Sequence, residues 1–297
     1  MKNKQLGRYL LWAFLLAWML QAAVIGFAWN GQVSISRMIL AASMFAPLLA
    51  AVLAKIPLQG MGWHLRLRGK GKWVLAAWFG PALLSALGAA LFFLCFPAAF
   101  DKSGELLRLQ LGEAGIAQLK ERGLTLQTLL LVQFGQMLTY APFLNALFAV
   151  GEEAGWRGAM VPLLKERFGV AKGRLIGGAI WCVWHWPIII LIGYNYGAEY
   201  WGAPVLGPLL FCVICVALGV LLDFLYEKTD CIWIPALAHG AFNGVASAGV
   251  LLMKPAFSDL STLGPTPIGL LSGLPLLVFG FLLLGKSGRA APAAPTE

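Results

Sequence analysis

The chain has 297 residues, of which 60% are hydrophobic and only 12% charged. A soluble domain carries about 25% charged residues, so 22 basic and 13 acidic side chains cannot cover a water-facing surface of this size. The same apolar excess excludes disorder, which needs low hydrophobicity and high charge. The net charge of +9 does not mark a nucleic-acid binder, because the basic residues sit in short segments between apolar runs rather than on one basic face. The sequence therefore reads as an all-α, polytopic membrane protein with about eight transmembrane helices.

The predicted spans, in chain order, are residues 9–28, 38–54, 73–99, 129–164, 175–192, 203–225, 232–253 and 263–284. The first follows Lys2, Lys4 and Arg8 but is longer than the roughly 7–15 apolar residues of a signal peptide, so it is expected to be retained. With the N-terminus inside, 15 basic residues fall on inner segments and six on outer ones. That asymmetry places both termini in the cytoplasm and the protein in the cell (inner) membrane.

Residues 1–124 are expected to hold three helices and an outer amphipathic segment from Asp101 to Leu124 that covers the bundle. Residues 125–255 form the expected core, 256–285 an eighth helix, and 286–297 a disordered tail. The five cysteines lie mostly in apolar runs and are read as packing residues, the Cys212/Cys215 spacing notwithstanding.

An ionisable side chain in hydrocarbon is costly, so each one inside a span is a candidate functional residue. Three clusters qualify: Glu152-Glu153-Ala154-Gly155-Trp156-Arg157, then Trp181 to Pro187 around His185, then His239-Gly240-Ala241-Phe242-Asn243. At 1.5 Å per residue, His185 lies about 16 Å beyond Arg174, His239 about 14 Å beyond Asp230, and Glu152 about 20 Å before Lys165. Three helices thus bring polar groups to a similar level. His239 and Asn243 share one helix face, as do Glu153 and Arg157. Gly151/Gly155 and Gly240/Gly244 permit close helix approach.

Such a set suits a buried hydrolytic site, with a carboxylate and an imidazole holding water and a second imidazole and an amide donating to an oxyanion. The alternative is a metal site in which Glu152, His185 and His239 bind Zn2+, although the one-helix HExxH spacing is absent. Proton transport through the same groups would call for inverted repeats or paired broken helices, and none is evident. A non-catalytic immunity or scaffold protein that binds a peptide in the cavity is the other reading.

At these residues the sequence resembles the CPBP family of CAAX prenyl endoproteases and bacteriocin-processing, Abi or lysostaphin-resistance-like proteins. The shared pattern is EExxxR, an aromatic residue four before a histidine, and a histidine four before Asn or Asp. Here it is Glu152-Glu153…Arg157, Trp181…His185 and His239…Asn243, with Trp where Phe is commoner. The resemblance covers Tyr140 to Gly249 and implies an eight-helix intramembrane endopeptidase that cuts a membrane-associated, lipidated or leader-type peptide. It assigns water activation to Glu152 with His185, the oxyanion to His239 with Asn243, and support to Glu153, Arg157 and Trp181. The family's name includes metalloprotease, and the set is compatible with a metal or with glutamate-dependent chemistry, but without an organised second shell in the sequence it favours chemistry without a metal.

Overall fold

The computed structural model describes residues 2–286 apart from Arg66 and Ala198. The expected tail, all but Lys286, lies outside the described residues. The chain is all-α: α1 (Lys2–Trp29), α2 (Val33–Ser43), α3 (Ala46–Leu53), α4 (Gly71–Cys95), α5 (Glu105–Glu121), α6 (Leu126–Leu138), α7 (Ala141–Glu153), α8 (Val161–Phe168), α9 (Val170–Ile192), α10 (Leu206–Thr229), α11 (Trp233–Val245) and α12 (Leu274–Leu283). A π-helical turn, Ala154–Met160, joins α7 to α8, so residues 141–168 form one unbroken helical rod.

Five helices are long and apolar enough to cross a membrane, and α2 with α3 makes a sixth as a pair bent by 41°. The bend has a local cause. Pro47 carries no N–H for the i→i−4 ladder and its ring clashes with the preceding turn, so α2 stops at Ser43 and a new helix begins. The expected fourth run divides into α6 and the rod, whose apolar character is interrupted by its own charged cluster. The expected eighth run is helical over only ten residues, α12, too short for a full crossing at about 1.5 Å per residue. All eight apolar runs thus contain helix, six of them at spanning length.

The loops separate to two ends as the charge pattern anticipates. At one end Gln5 donates to the Lys55 carbonyl, Lys70 to the Thr229 carbonyl, and the Ile232 N–H to Gly62. At the other, the Asp101 N–H bonds Leu252 at 2.8 Å, the Lys254 N–H bonds Ala99 at 2.9 Å, and the Tyr196 hydroxyl bonds Ile268 at 3.0 Å. The outer helix α5 is not one continuous amphipathic face. Gly112 breaks it at φ 63°, and it tucks in Leu107 and Ile116 while Leu109 stays exposed. Its first turn is fixed by Asp101, whose carboxylate accepts from the Ser103 hydroxyl (2.6 Å) and from the N–H groups of Ser103 (2.7 Å) and Glu105 (2.6 Å).

Two glycines set the core. A Cβ on Gly155 would lie 2.3 Å from the Pro47 side chain, and one on Gly240 would lie 2.4 Å from the Pro142 carbonyl oxygen and 2.5 Å from the Ala146 nitrogen. These close approaches seat the α2–α3 bend on the π turn and press α11 against α7. Gly244 meets its neighbours at an ordinary 3.5 Å, so in the second glycine pair only Gly240 is demanded by packing. The cysteines are all free, and Cys182, Cys215 and Cys231 are buried packing residues. The Cys182 thiol donates to the Pro208 carbonyl and accepts from the Trp186 indole.

A four-charge cluster lies where the sequence suggested only span boundaries. Lys165 reaches Asp223 (2.8 Å) and Glu227 (2.5 Å), while Arg174 reaches the same two carboxylates at 2.7 and 3.2 Å. The Arg174 side chain is fully buried. Its Nη1 donates to the carbonyls of Leu283, Leu284 and Lys286, at the end of α12. The Leu283 carbonyl also accepts from the Lys286 N–H at 3.0 Å, and a cation at a helix C-terminus complements the macrodipole.

Candidate active site

The π turn follows directly on the two adjacent glutamates, and adjacent helical residues point about 100° apart. Glu152 therefore faces one set of neighbours and Glu153 another. Glu152 Oε2 accepts from the indole N–H of Trp181 at 2.6 Å and from that of Trp156, one turn on, at 3.2 Å. Its Oε1 has no protein donor among the described residues. Glu153 Oε1 accepts from Arg157 Nη1 at 3.1 Å and from His239 Nδ1 at 2.8 Å. The pairing of Glu153 with Arg157 is the one the i,i+4 spacing predicts, and both are buried.

The two imidazoles are held in the same sense. A carbonyl oxygen can only accept, so the contact of His185 Nδ1 with the Trp181 carbonyl at 3.0 Å places the proton on Nδ1. The contact of His239 Nδ1 with the Glu153 carboxylate does likewise. Both Nε2 atoms are thereby left for whatever enters. Trp181 is the hub. Its ring centroid lies 5.2 Å from that of His239 and 6.2 Å from that of His185, and the Arg157 guanidinium sits 4.4 Å from it. The Trp184 and Phe211 rings pin His185 at 4.6 and 5.1 Å.

These groups face a cavity of about 460 Å³. Glu152, Trp181, His185, His239 and Asn243 all line it, so four candidate catalytic residues from three helices meet in one space. Asn243 is open to it and has no side-chain hydrogen bond among the described residues. Glu153 and Arg157 stand behind the wall. The rest is largely apolar, with Leu40 and Met44 before the α2–α3 bend, Phe211 and Leu218 on α10, and Ile268. Tyr194 and Asn195, after α9, add polar atoms.

Several contributors carry no signal in the sequence. Leu40, Met44 and Ile268 are ordinary apolar residues until the bend and the 264–268 segment bring them to the cavity. Trp156 was legible only through its place one turn after Glu152. Two helix-to-helix clamps were not legible at all: Gln21 donates to the Trp184 carbonyl at 2.8 Å, and Trp184 donates to the Ala13 carbonyl at 3.2 Å. They tie α1 to the stretch of α9 that carries His185.

Zinc demands three or four ligands at about 2.0–2.2 Å around one point. Among the described residues no three His, Cys, Asp or Glu side chains come together in that way. Glu152 Oε2 is turned to two indole N–H groups instead. As arranged, Glu152, His185 and His239 do not fit a zinc site.

Fold and cavity together define a multi-pass α-helical membrane protein with a carboxylate–imidazole–amide site sunk between its helices. Residues 133–245 match the family of type II CAAX prenyl endopeptidases described as Rce1-like, and every residue of the three motifs falls inside that stretch. That stretch of the chain is therefore similar to the family that its motifs resemble. The chain is also 29% identical over 86 residues to CAAX prenyl protease 2 of Methanococcus maripaludis. That similarity covers 29% of this chain and 31% of the relative.

Proposed function

We propose that this protein is an intramembrane endopeptidase that hydrolyses a peptide bond in a membrane-held peptide, in the manner the CAAX prenyl protease name implies for its relative. The observation that carries the reading is the orientation of the groups around the cavity. Both histidines spend Nδ1–H on protein acceptors and Glu152 spends only one oxygen, so the unspent atoms are those a hydrolase needs.

A water between Glu152 Oε1 and His185 Nε2 donates one hydrogen to each, which aims its lone pair at a carbonyl carbon. As the oxygen attacks, Glu152 takes its proton and later delivers it to the leaving amine. The carbonyl oxygen gains charge and accepts from the Asn243 amide and from His239 Nε2–H. Donation from Nε2 requires His239 to hold both ring protons, and the Glu153 carboxylate at Nδ1 is the counter-charge. Glu153 Oε1 also accepts from Arg157 Nη1. The apolar wall suits a substrate with apolar side chains.

The test is a comparison of cleaved termini in the membrane proteome of cells making the native protein or Glu152→Gln at matched levels. Termini that vanish with the variant establish the peptidase and define its cut sites. Identical termini under several growth conditions would overturn the reading in favour of a peptide-binding role.

A further inference from the structure

A second cavity, of about 680 Å³, lies on the far side of α11 from the candidate active site. Its walls are Ala82, Ala86 and Ala89 of α4, Phe134 and Met137 of α6, and Leu252 beyond α11. Among the described residues Ser85 is the only polar side chain that lines it, and its hydroxyl proton is donated to the Pro81 carbonyl at 2.7 Å. Among the described residues, the only hydrogen-bonding capacity that side chains leave in the groove is the acceptor lone pairs of the Ser85 hydroxyl.

Both ends are closed. The Trp78 indole donates to the Leu138 carbonyl at 2.7 Å, joining α4 to the last turn of α6. At the opposite end Phe100 pairs with Met253, and the Asp101 N–H bonds Leu252. Between these contacts the groove reaches the surface at two of its lining residues, Leu94, which is 78% exposed, and Leu138, which is 42% exposed. From Ala82 to Leu94 it runs about 18 Å along α4. Half of a hydrocarbon core is about 15 Å.

The partition between groove and active cavity is thin but shut. Asn243, Ala246 and Val250 face the active cavity whereas Val245, Ala248 and Leu252 face the groove, and Thr266 and Pro267 divide in the same way. A Cβ on Gly249 would lie 2.5 Å from the Pro265 carbonyl oxygen, so the two walls are already in contact.

We infer that the groove between α4, α6 and α11 is a binding site for one acyl chain of a bilayer lipid. It is apolar, lies at membrane depth, is open to the bilayer, is about as long as one leaflet's hydrocarbon, and is sealed from the substrate cavity. An empty groove would forfeit the dispersion contacts of its lining. The chain that fills it packs against Val245, the last residue of the helix that carries His239 and Asn243, and against Ala248 and Leu252 beyond it.

The test uses the full chain in phosphatidylcholine vesicles doped with a phosphatidylcholine bearing a diazirine midway along one acyl chain. After photolysis, labelled peptides from residues 82–94 and 134–138 should exceed those from the exposed Phe281–Leu282 face of α12 severalfold. The double substitution Ala86→Phe and Ala89→Phe should remove that excess while leaving α12 labelling unchanged. Should that variant not fold, a diazirine placed next to the headgroup of the same lipid should lose the excess in the native protein. Equal labelling of all bilayer-facing helices, or an excess that survives groove filling, would overturn the inference. Displacement of the label by a peptide carrying its own hydrocarbon chain would also overturn it, by assigning the groove to substrate. No cleavage is read, so the outcome is independent of the peptidase proposal.

Discussion

Two clusters of buried charge stand in this protein, and they differ in what they leave open. Around Lys165, Arg174, Asp223 and Glu227, each cation meets both carboxylates, and Arg174 gives its remaining reach to the last carbonyls of α12. Around Glu152, Glu153, Arg157 and His239, partners are supplied only on the protein side. Glu152 Oε1, two imidazole Nε2 atoms and the Asn243 amide face a cavity instead. Burial and charge are common to both clusters, so neither property alone marks a site of chemistry. Unspent hydrogen-bonding atoms around a space large enough for a substrate do.

The contrast can be broken from either side. Arg174→Ala should act on stability, because removing one partner from a buried ion network costs about 3–5 kcal/mol. Denaturant or thermal unfolding of the purified protein should show that loss, with cleavage per folded molecule preserved. Asn243→Ala should act on rate, lowering turnover of a cleaved peptide by about 10²–10³, as expected for one oxyanion donor, and leaving the unfolding midpoint in place. If Asn243→Ala unfolds the protein, the amide is interhelical packing and the contrast fails.

Glu153→Gln sharpens the comparison within the active cluster. It removes the counter-charge for both Arg157 and His239, so stability and turnover should fall together. A variant that loses turnover alone would move Glu153 into the cavity chemistry.

Smallest is the effect at Asp101, outside the spans. Burial works to raise its pKa, but hydrogen bonds from the Ser103 hydroxyl and from nearby backbone N–H groups prevail and hold it below the usual carboxylate value. A depressed native pKa contributes stability above the unfolded value of about 3.9 and loses it as pH falls through the native one. Asp101→Ala should cost about 1 kcal/mol, as for other groups that bond the first N–H groups of a helix. Hydrogen exchange of α5 should quicken in the variant at pH 7 and match the native protein in strong acid.

The same contrast explains what could be read from the sequence. Hydropathy located eight runs that each contain helix, though the eighth is too short to cross a membrane, and the cost of a charge in hydrocarbon singled out the residues that line or back the cavity. It misjudged Arg174, treated as a loop charge marking the end of a span. A basic residue beside a polar stretch looks the same whether it faces water or folds inward onto α10 and α12. The π turn was hidden for a related reason, since Ala154–Met160 has a composition that an ordinary helix would accept. The sideways groove was hidden because it is made of absent side-chain volume at alanines. Leu40, Met44 and Ile268 reach the cavity only because the Pro47 bend and the 264–268 segment put them there.

The most direct measurement is cleavage of a mapped substrate per folded molecule of Glu152→Gln, with the unfolding midpoint taken on the same sample. The substituted amide keeps an oxygen for the Trp156 and Trp181 indoles, so the midpoint should hold. Loss of the base should lower cleavage by about 10²–10⁴. Native cleavage at a native midpoint would contradict the account. So would a collapse of the midpoint that explains the lost cleavage, because Glu152 would then belong with Asp223 among the groups that only hold helices together.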